Sequence, residues 1–325
     1  MIKYIFRQNK DYSRFNIIKQ FTKDLKLKND IYLLLPFSKN QFFKNFFKRD
    51  RIINDFFISN FDTYVYDRKK ITVKNPRAWW KFFQDWFNFK FSKYLLSDTY
   101  THFKYWESLF GKYKGELFVF PVLADKQIYY PLDKELKNKK IKILFYGSFI
   151  PLHGIDIILE AFSLMEKAGV DFEAKIIGTG QIYSKMKNLY EKLELKNVQM
   201  DGKFIDENKL AQEIREHDII LGIFGDSKKA KSVIPNKLYQ AVASKKTIVT
   251  MYSEAIFEFF DENDLITCDK NASTLSENLI NLINNPDLLE STAENGYKKF
   301  LEIYDKTKID FENFISKIDN KIERS

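Results

Sequence analysis

From Ile141 onward, short apolar runs alternate with amphipathic segments, and this alternation constrains the fold more than any other feature of the chain. IKILFYG (Ile141–Gly147) reads as a buried strand, and IDIILEAFSLMEKAG (Ile155–Gly169) has helical apolar spacing with a glycine stop. FEAKIIG, NVQM, DIILGIF, TIVT and DLITCD continue the strands. IYSKMKNLYEKLEL, ENKLAQEIREH, NKLYQAVAS and a tract from Ser273 nearly to the end supply the helices. Strands that alternate with helices pair in parallel, so the expected fold class is α/β with a doubly wound sheet. In such sheets ligands sit beyond the carboxyl ends of the strands. The first half is read as a second α/β domain, with IKYIF, DIYLLLPF, TYVYD, KYLLSD and ELFVFP as its strands.

Charge separates the halves. Residues 1–140 hold 29 Lys and Arg against 14 Asp and Glu, a net of +15, while the remainder carries −6. Of the 54 aromatic residues, 35 precede residue 141. A basic, aromatic half attracts an anion: nucleic acid, phospholipid headgroups or a phosphorylated substrate. It contains no zinc-finger, RRM or KH signature, so nucleic acid is not expected. The charged run DKELKNKK (Asp133–Lys140) is the expected boundary, giving domains 1–137 and 138–305. Cys268 is the sole cysteine, which excludes an internal disulfide and suits a reducing compartment. The opening MIKYIFRQNKDYSRF lacks a signal-peptide core, and no run approaches the roughly 18 apolar residues of a spanning helix. A cytoplasmic location is the expectation. Three histidines and one cysteine give no metal-ligand spacing, so no metal is expected.

Three glycine-bearing stretches fall at predicted strand ends: GSFIPLHG (Gly147–Gly154), GTGQ (Gly178–Gln181) and GIFGDSKKAKS (Gly222–Ser232). Glycine there lets backbone approach a ligand closely, although glycine also simply ends strands. The following SVIPNKLYQAVASKKTIVT places Pro235 at the expected first helical position, leaving the N–H groups of Asn236, Lys237 and Leu238 open to an anion. A lysine in a first helical turn opposes the helix dipole unless an anion lies nearby. The alternative is a surface lysine turned into solvent.

GSFIPLHGIDIILEAF, IIGTGQ, NVQMDGKF and LGIFGDSKKAKSVIPNKLYQAVASKKTIV together resemble the carboxyl-terminal domain of glycosyltransferase family 4, the retaining GT-B enzymes. SDTYTHFKYWESLFG and FPVLADKQIYYP resemble, less closely, the end of the family's first domain. The resemblance implies two Rossmann-like domains facing across a cleft, the first for the acceptor and the second for a nucleotide-diphosphate sugar. It implies a closing helix, 306–325, that returns to the first domain. It assigns Pro235, Asn236, Lys237 and Leu238, with Gly147, Ser148 and His153, to the donor diphosphate. Lys203, Phe204, Gln240 and Gly178 fall to the nucleoside, and Phe224 and Gly225 to the sugar. It implies hexosyl transfer with retention, needing neither cofactor nor metal, in surface polysaccharide or glycoconjugate synthesis. The chain departs from the family where two glutamates are common: Ser232 and Gln240 stand there, and Asp226 is the carboxylate left to act. His102, after Asp98 and Thr99, is the candidate to accept or position the acceptor's proton; the alternative is a helix-start histidine bonded to Asp98. A nucleotide-sugar-binding subunit that has lost catalysis is the other functional reading.

NPRAWWKFFQDWFNFKFSKYLL (Asn75–Leu96) has a polar face of Arg77, Lys81, Gln84, Asp85, Asn88 and Ser92 opposite a wide aromatic arc. Two placements fit this pattern: a helix at an anionic membrane surface, joined by QFFKNFFKRDR (Gln41–Arg51), or a helix packed on its domain's sheet. The first would suit a lipid-linked acceptor and a peripheral position on the inner membrane face.

Overall fold

The computed structural model describes residues 1–6, 12–132 and 140–323. Its contacts divide the chain into two units: 1–123 with 232–234 and 304 onward, and 124–231 with 235–303. Ala124–Leu132 therefore belong to the second unit, while most of the run on which the boundary was expected (133–139) lies outside the described residues.

The first unit is built on a five-stranded parallel sheet, β1 (Ile2–Ile5), β2 (Ile31–Leu34), β3 (Ile52–Asp55), β4 (Tyr94–Ser97) and β5 (Glu116–Val119), in that order. Its helices are α1 (Ser13–Thr22), α2 (Asn40–Lys44), the single turn α3 (Asn60–Asp62), α4 (Pro76–Phe91) and α5 (Tyr100–Phe110). The strand alternation sorts its two faces. Leu95 and Leu117, paired in register, pack with Phe56, Phe89 and Trp106 beneath α4 and α5. Tyr94, Phe118 and Phe120 point the other way, against Phe311 and Phe314.

One expected strand is absent. TYVYD forms a π-helical turn after α3, and the strand is instead Ile52–Asp55. Aromatic and β-branched content favoured a strand at TYVYD. Ser59 overrides it: its hydroxyl accepts the N–H of Asp62 at 3.0 Å and starts a helical turn. Every residue of β3 is buried, consistent with its central place in the sheet.

The second unit carries six parallel strands: β6 (Ile141–Tyr146), β7 (Phe172–Ile177), β8 (Val198–Asp201), β9 (Ile219–Leu221), β10 (Thr247–Met251) and β11 (Ile266–Cys268). Their order is β11-β10-β9-β6-β7-β8, so the chain reverses direction between β6 and β9. The helices are α6 (Ile155–Lys167), α7 (Tyr183–Lys192), α8 (Glu207–Glu216), α9 (Asn236–Ala243), α10 (Ala272–Asn284) and α11 (Pro286–Glu323). The reversal opens the sheet edge beside the ends of β6 and β9, where GSFIPLHG and GIFGDS leave their strands. From Tyr304 onward α11 packs in the first unit: Tyr304 lies against Phe21, and Asp319 accepts the N–H groups of Lys28 and Asn29.

Candidate donor site

At the end of β6 the chain turns through Gly147 with φ 143°, a conformation that favours glycine. A Cβ there would lie 2.9 Å from Cε1 of His153 and 3.5 Å from Nζ of Lys237, so three of the residues assigned to the diphosphate converge on one point. Neighbouring backbone holds the His153 turn in place. The N–H of Phe224 donates to the His153 carbonyl at 3.1 Å, and that of Gly225 to the Leu152 carbonyl at 3.0 Å. A Cβ at Gly225 would meet the Leu152 oxygen at 2.3 Å, which only glycine avoids.

These contacts revise several expected roles. The Phe224 side chain is fully buried and is a core residue, not a border for the sugar. Gly178 is needed for packing, because a Cβ there would fall 1.9 Å from the Gly147 oxygen. Pro235 caps α9 in extended conformation instead of opening it. The N–H of Leu238 is taken by the Pro235 carbonyl at 2.9 Å, leaving those of Asn236 and Lys237 without a partner among the described residues. Lys203 and Phe204 lie exposed after β8, the Phe204 ring open to a flat ligand.

Lys237 does not turn into solvent. It is 5% exposed, its ammonium 3.3 Å from the Gly222 carbonyl oxygen and 3.9 Å above the Phe145 ring. No carboxylate pairs with it among the described residues, and burial holds its pKa well below the ordinary lysine value. Burial, and secondarily Lys237 itself, likewise holds His153 well below the ordinary histidine value, against the opposing pull of the Ser148 carbonyl. The Nδ1–H of a neutral His153 donates to that carbonyl, which leaves Nε2 with a lone pair. Two suppressed cations beside open helix N–H groups and a glycine turn form a place prepared for negative charge.

Gln240 is committed elsewhere. Tyr146 donates to its Oε1 at 2.7 Å, its Nε2 donates to the Tyr129 hydroxyl at 2.8 Å, and Tyr129 donates to Glu207 at 3.2 Å. The sequence reading missed this relay because Tyr129 lies 111 residues from Gln240. Gln240 retains one N–H and one lone pair beyond it.

Asp226 is an exposed ion-pair partner of Lys270 at 2.8 Å and Lys231 at 3.2 Å, which hold its carboxyl below the usual range. His102, in the first unit, is fully buried. Its Nδ1 lies 2.5 Å from Asp98, its ring 4.0 Å from that of Trp106, and its Nε2 has no partner among the described residues. This is the helix-start arrangement, with Thr99 capping the His102 N–H at 2.9 Å. Ser232 groups with the first unit, where its carbonyl accepts from Thr99 at 2.6 Å. Among the described residues, no three His, Cys, Asp or Glu side chains gather as a metal site, and no helix is long and apolar enough to cross a membrane.

Comparison with known proteins bears on the family and the fold. An uncharacterized glycosyltransferase of Methanocaldococcus jannaschii, MJ1178, is 26% identical over 203 residues, covering 54% of this chain and 52% of that protein. The chain thus spans about half the length of the curated relative it matches. A TarM mutant of S. aureus, solved with fondaparinux, α-GlcNAc-glycerol and UDP, superposes with TM-score 0.66 at 14% identity, over 92% of this chain and 58% of that one. Sucrose-phosphate synthase of Thermosynechococcus elongatus gives 0.68 at 10%, over 93% and 76%. HepE of Anabaena, solved with UDP, gives 0.61 at 11%, over 99% and 98%. Identities this low speak to the fold alone, two Rossmann-like domains of the GT-B type. The family model described as glycosyl transferases group 1 matches residues 131–299, just over half of the chain, and the chain belongs to that family.

Proposed function

We propose that the chain transfers a hexosyl group from a nucleoside-diphosphate sugar to a glycan or lipid-linked acceptor in surface polysaccharide or glycoconjugate synthesis, with retention and without a metal. The observation that carries this reading is the buried, carboxylate-free ammonium of Lys237 beside Gly147 and the open N–H groups of α9. In transfer, the bond from the anomeric carbon to the diphosphate oxygen breaks. The acceptor oxygen bonds to that carbon on the same face, and the acceptor's proton passes to the leaving diphosphate. Negative charge grows on the diphosphate as the bond breaks. Lys237 and the N–H groups of Asn236 and Lys237 offset it where it forms. The exposed Phe204 stacks on the base.

The relatives solved with UDP make uridine diphosphate the first ligand to try. Thermal shift with UDP, GDP, ADP and CMP, on wild type and Lys237→Ala, tests the site. One diphosphate raises the melting temperature of wild type, and the variant loses most of the rise. No rise with any of them at millimolar concentration would sink the reading. The engaged amide of Gln240 and the ion-paired Asp226 favour a second reading, a nucleotide-sugar-binding subunit without turnover. A single-turnover assay with the matching sugar conjugate separates the two.

A further inference from the structure

Helix α4 packs Ala78 and Phe89 inward yet turns several of its aromatic rings outward. Its buried residues include Gln84, Asp85 and Asn88, whereas Trp79 and Trp80 are each 59% exposed and Phe83 and Phe91 lie open beside them. The roll of the helix is fixed by hydrogen bonds. The Asp85 carboxylate accepts from the Lys39 ammonium, the Ser59 hydroxyl and the Phe61 N–H, each at 2.7 Å. Asn88 donates to the Lys39 carbonyl at 3.2 Å and accepts from Asn54 at 3.1 Å. Turning the aromatic face inward would strand these groups without partners, a cost of several such bonds.

The outward face continues into the segment after β2. The ring of Phe43 stacks on that of Phe87 at 4.4 Å, Phe46 approaches Phe87 and Phe91 at 5.4 and 6.0 Å, and Phe47 beyond them is wholly exposed. Patches of this kind on a soluble surface mark a contact site. The charge around the face indicates with what. Between Phe37 and Lys93 there are thirteen Lys and Arg and five Asp. Asp55, Asp62, Asp67 and Asp85 are buried, leaving Asp50 as the exposed acid, and it pairs with Lys93 at 3.3 Å. Lys44, Lys48, Arg49 and Arg51 are exposed on the turn that carries Phe46 and Phe47. Between Phe37 and Trp80 lies a cavity of about 260 Å³ whose lining includes Asn40, Asn60, Lys81 and Gln84. Its polar lining suits a headgroup and not an acyl chain.

We propose that this face seats the protein on anionic lipid. Its tryptophan and phenylalanine rings enter the interface, its basic side chains meet the headgroups, and a headgroup enters the polar cavity. A second copy of the chain on the same face would set like charges against each other. The inference goes beyond sugar transfer and does not depend on it.

Three of the four tryptophans (Trp79, Trp80 and Trp86) lie in this region, and the fourth, Trp106, is fully buried, so emission reports on the face. The full chain is floated with phosphatidylcholine vesicles, with and without about one third phosphatidylglycerol, at about 0.1 M salt. Flotation with a blue shift is expected only with the anionic vesicles. The triple variant Trp79→Ser, Trp80→Ser, Phe83→Ser loses flotation while keeping the wild-type circular dichroism. Lys44→Gln, Lys48→Gln and Arg49→Gln together lower partitioning on the order of 100-fold. Wild type that ignores anionic vesicles, or binding untouched by the aromatic variant, overturns the proposal. So does a dimer in sedimentation that the aromatic variant dissolves, with vesicles ignored. Nucleotide takes no part in this readout, so failure here leaves the donor-site reading standing, and the reverse.

Discussion

Replacing Lys237 with methionine sets folding against binding. The ammonium is buried among Phe145, Tyr146 and the Gly222 carbonyl with no carboxylate partner among the described residues. Methionine has a similar length and adds no charge, so the folded state should gain on the order of 1 kcal/mol from the lost desolvation. For a domain of 150–250 residues that is a rise of about 2–4 °C in Tm. The pH dependence carries a second signature. The folded-state pKa of Lys237 lies below its unfolded value, so between the two the unfolded chain binds the extra proton and wild-type stability rises with pH. That contribution is lost as pH falls towards the folded-state pKa, and Lys237→Met lacks it. Binding should move the opposite way. A charge-assisted hydrogen bond to a phosphate contributes about 2 kcal/mol, so Kd rises about 30-fold without it. Nucleoside diphosphate at about 100 times the wild-type Kd adds about 2.7 kcal/mol to wild type and about 0.9 kcal/mol to the variant. Thermal shift with and without the nucleotide, over a range of pH, reads every term. A variant that melts lower than wild type and keeps its full nucleotide shift would refute the reasoning, because Lys237 would then be a structural residue.

Glutamate at position 240 should destabilise the fold by about 1–3 kcal/mol at neutral pH in denaturant titration, because Tyr129 already gives its proton to Glu207 and cannot satisfy a second carboxylate; the penalty should shrink on acidification. His153→Asn keeps a donor for the Ser148 carbonyl and removes a titrating group. Because the folded-state pKa of His153 is depressed, wild type should lose stability as pH falls from about 6.5, and the variant should lose less over that range, as urea unfolding curves would report. A diphosphate should raise the depressed pKa values of His153 and Lys237, so binding should take up protons, seen as a calorimetric enthalpy that differs between buffers of unequal ionisation heat; an enthalpy independent of buffer at every pH tested would contradict those depressed values in the free site. Asp85→Ala strands the Lys39 ammonium and should cost about 3–5 kcal/mol in chemical unfolding.

The second unit was legible because its signals are local. Each strand is an apolar run, each helix a periodic one, and the glycines that close them are the positions where backbone meets backbone. Lys237 was legible for the same reason: a lysine in a first turn contradicts the dipole whatever surrounds it. What escaped depends on partners remote in sequence. The helical wheel separated a polar from an aromatic side of α4 but did not show that the aromatic side is split, Phe82 and Phe89 turning to the core and Trp79, Trp80, Phe83 and Phe91 outward, since the roll of the helix rests on Lys39, Ser59 and Phe61. TYVYD reads as a strand by composition, and only the capping by Ser59 makes it a turn. The ribose role of Gln240 was inferred from the family's glutamate, and the two tyrosines that occupy its amide have no signature near position 240.

The two proposed anion contacts differ physically, and salt should tell them apart. The aromatic face gathers exposed lysines and arginines, whose attraction to lipid acts through water and is screened beyond about 8–10 Å at physiological salt. The donor site holds one buried ammonium and the start of α9 within a unit that is otherwise mildly acidic. Remote charge gives a diphosphate little help there, and contact at short range gives most of it. Raising salt from about 0.05 to about 0.5 M should therefore release the protein from anionic vesicles while changing the diphosphate Kd by only a few-fold. A parallel fall in both would mean that the diphosphate is held by exposed lysines such as Lys203 and not by Lys237. Lys203→Gln would then weaken binding where Lys237→Met does not.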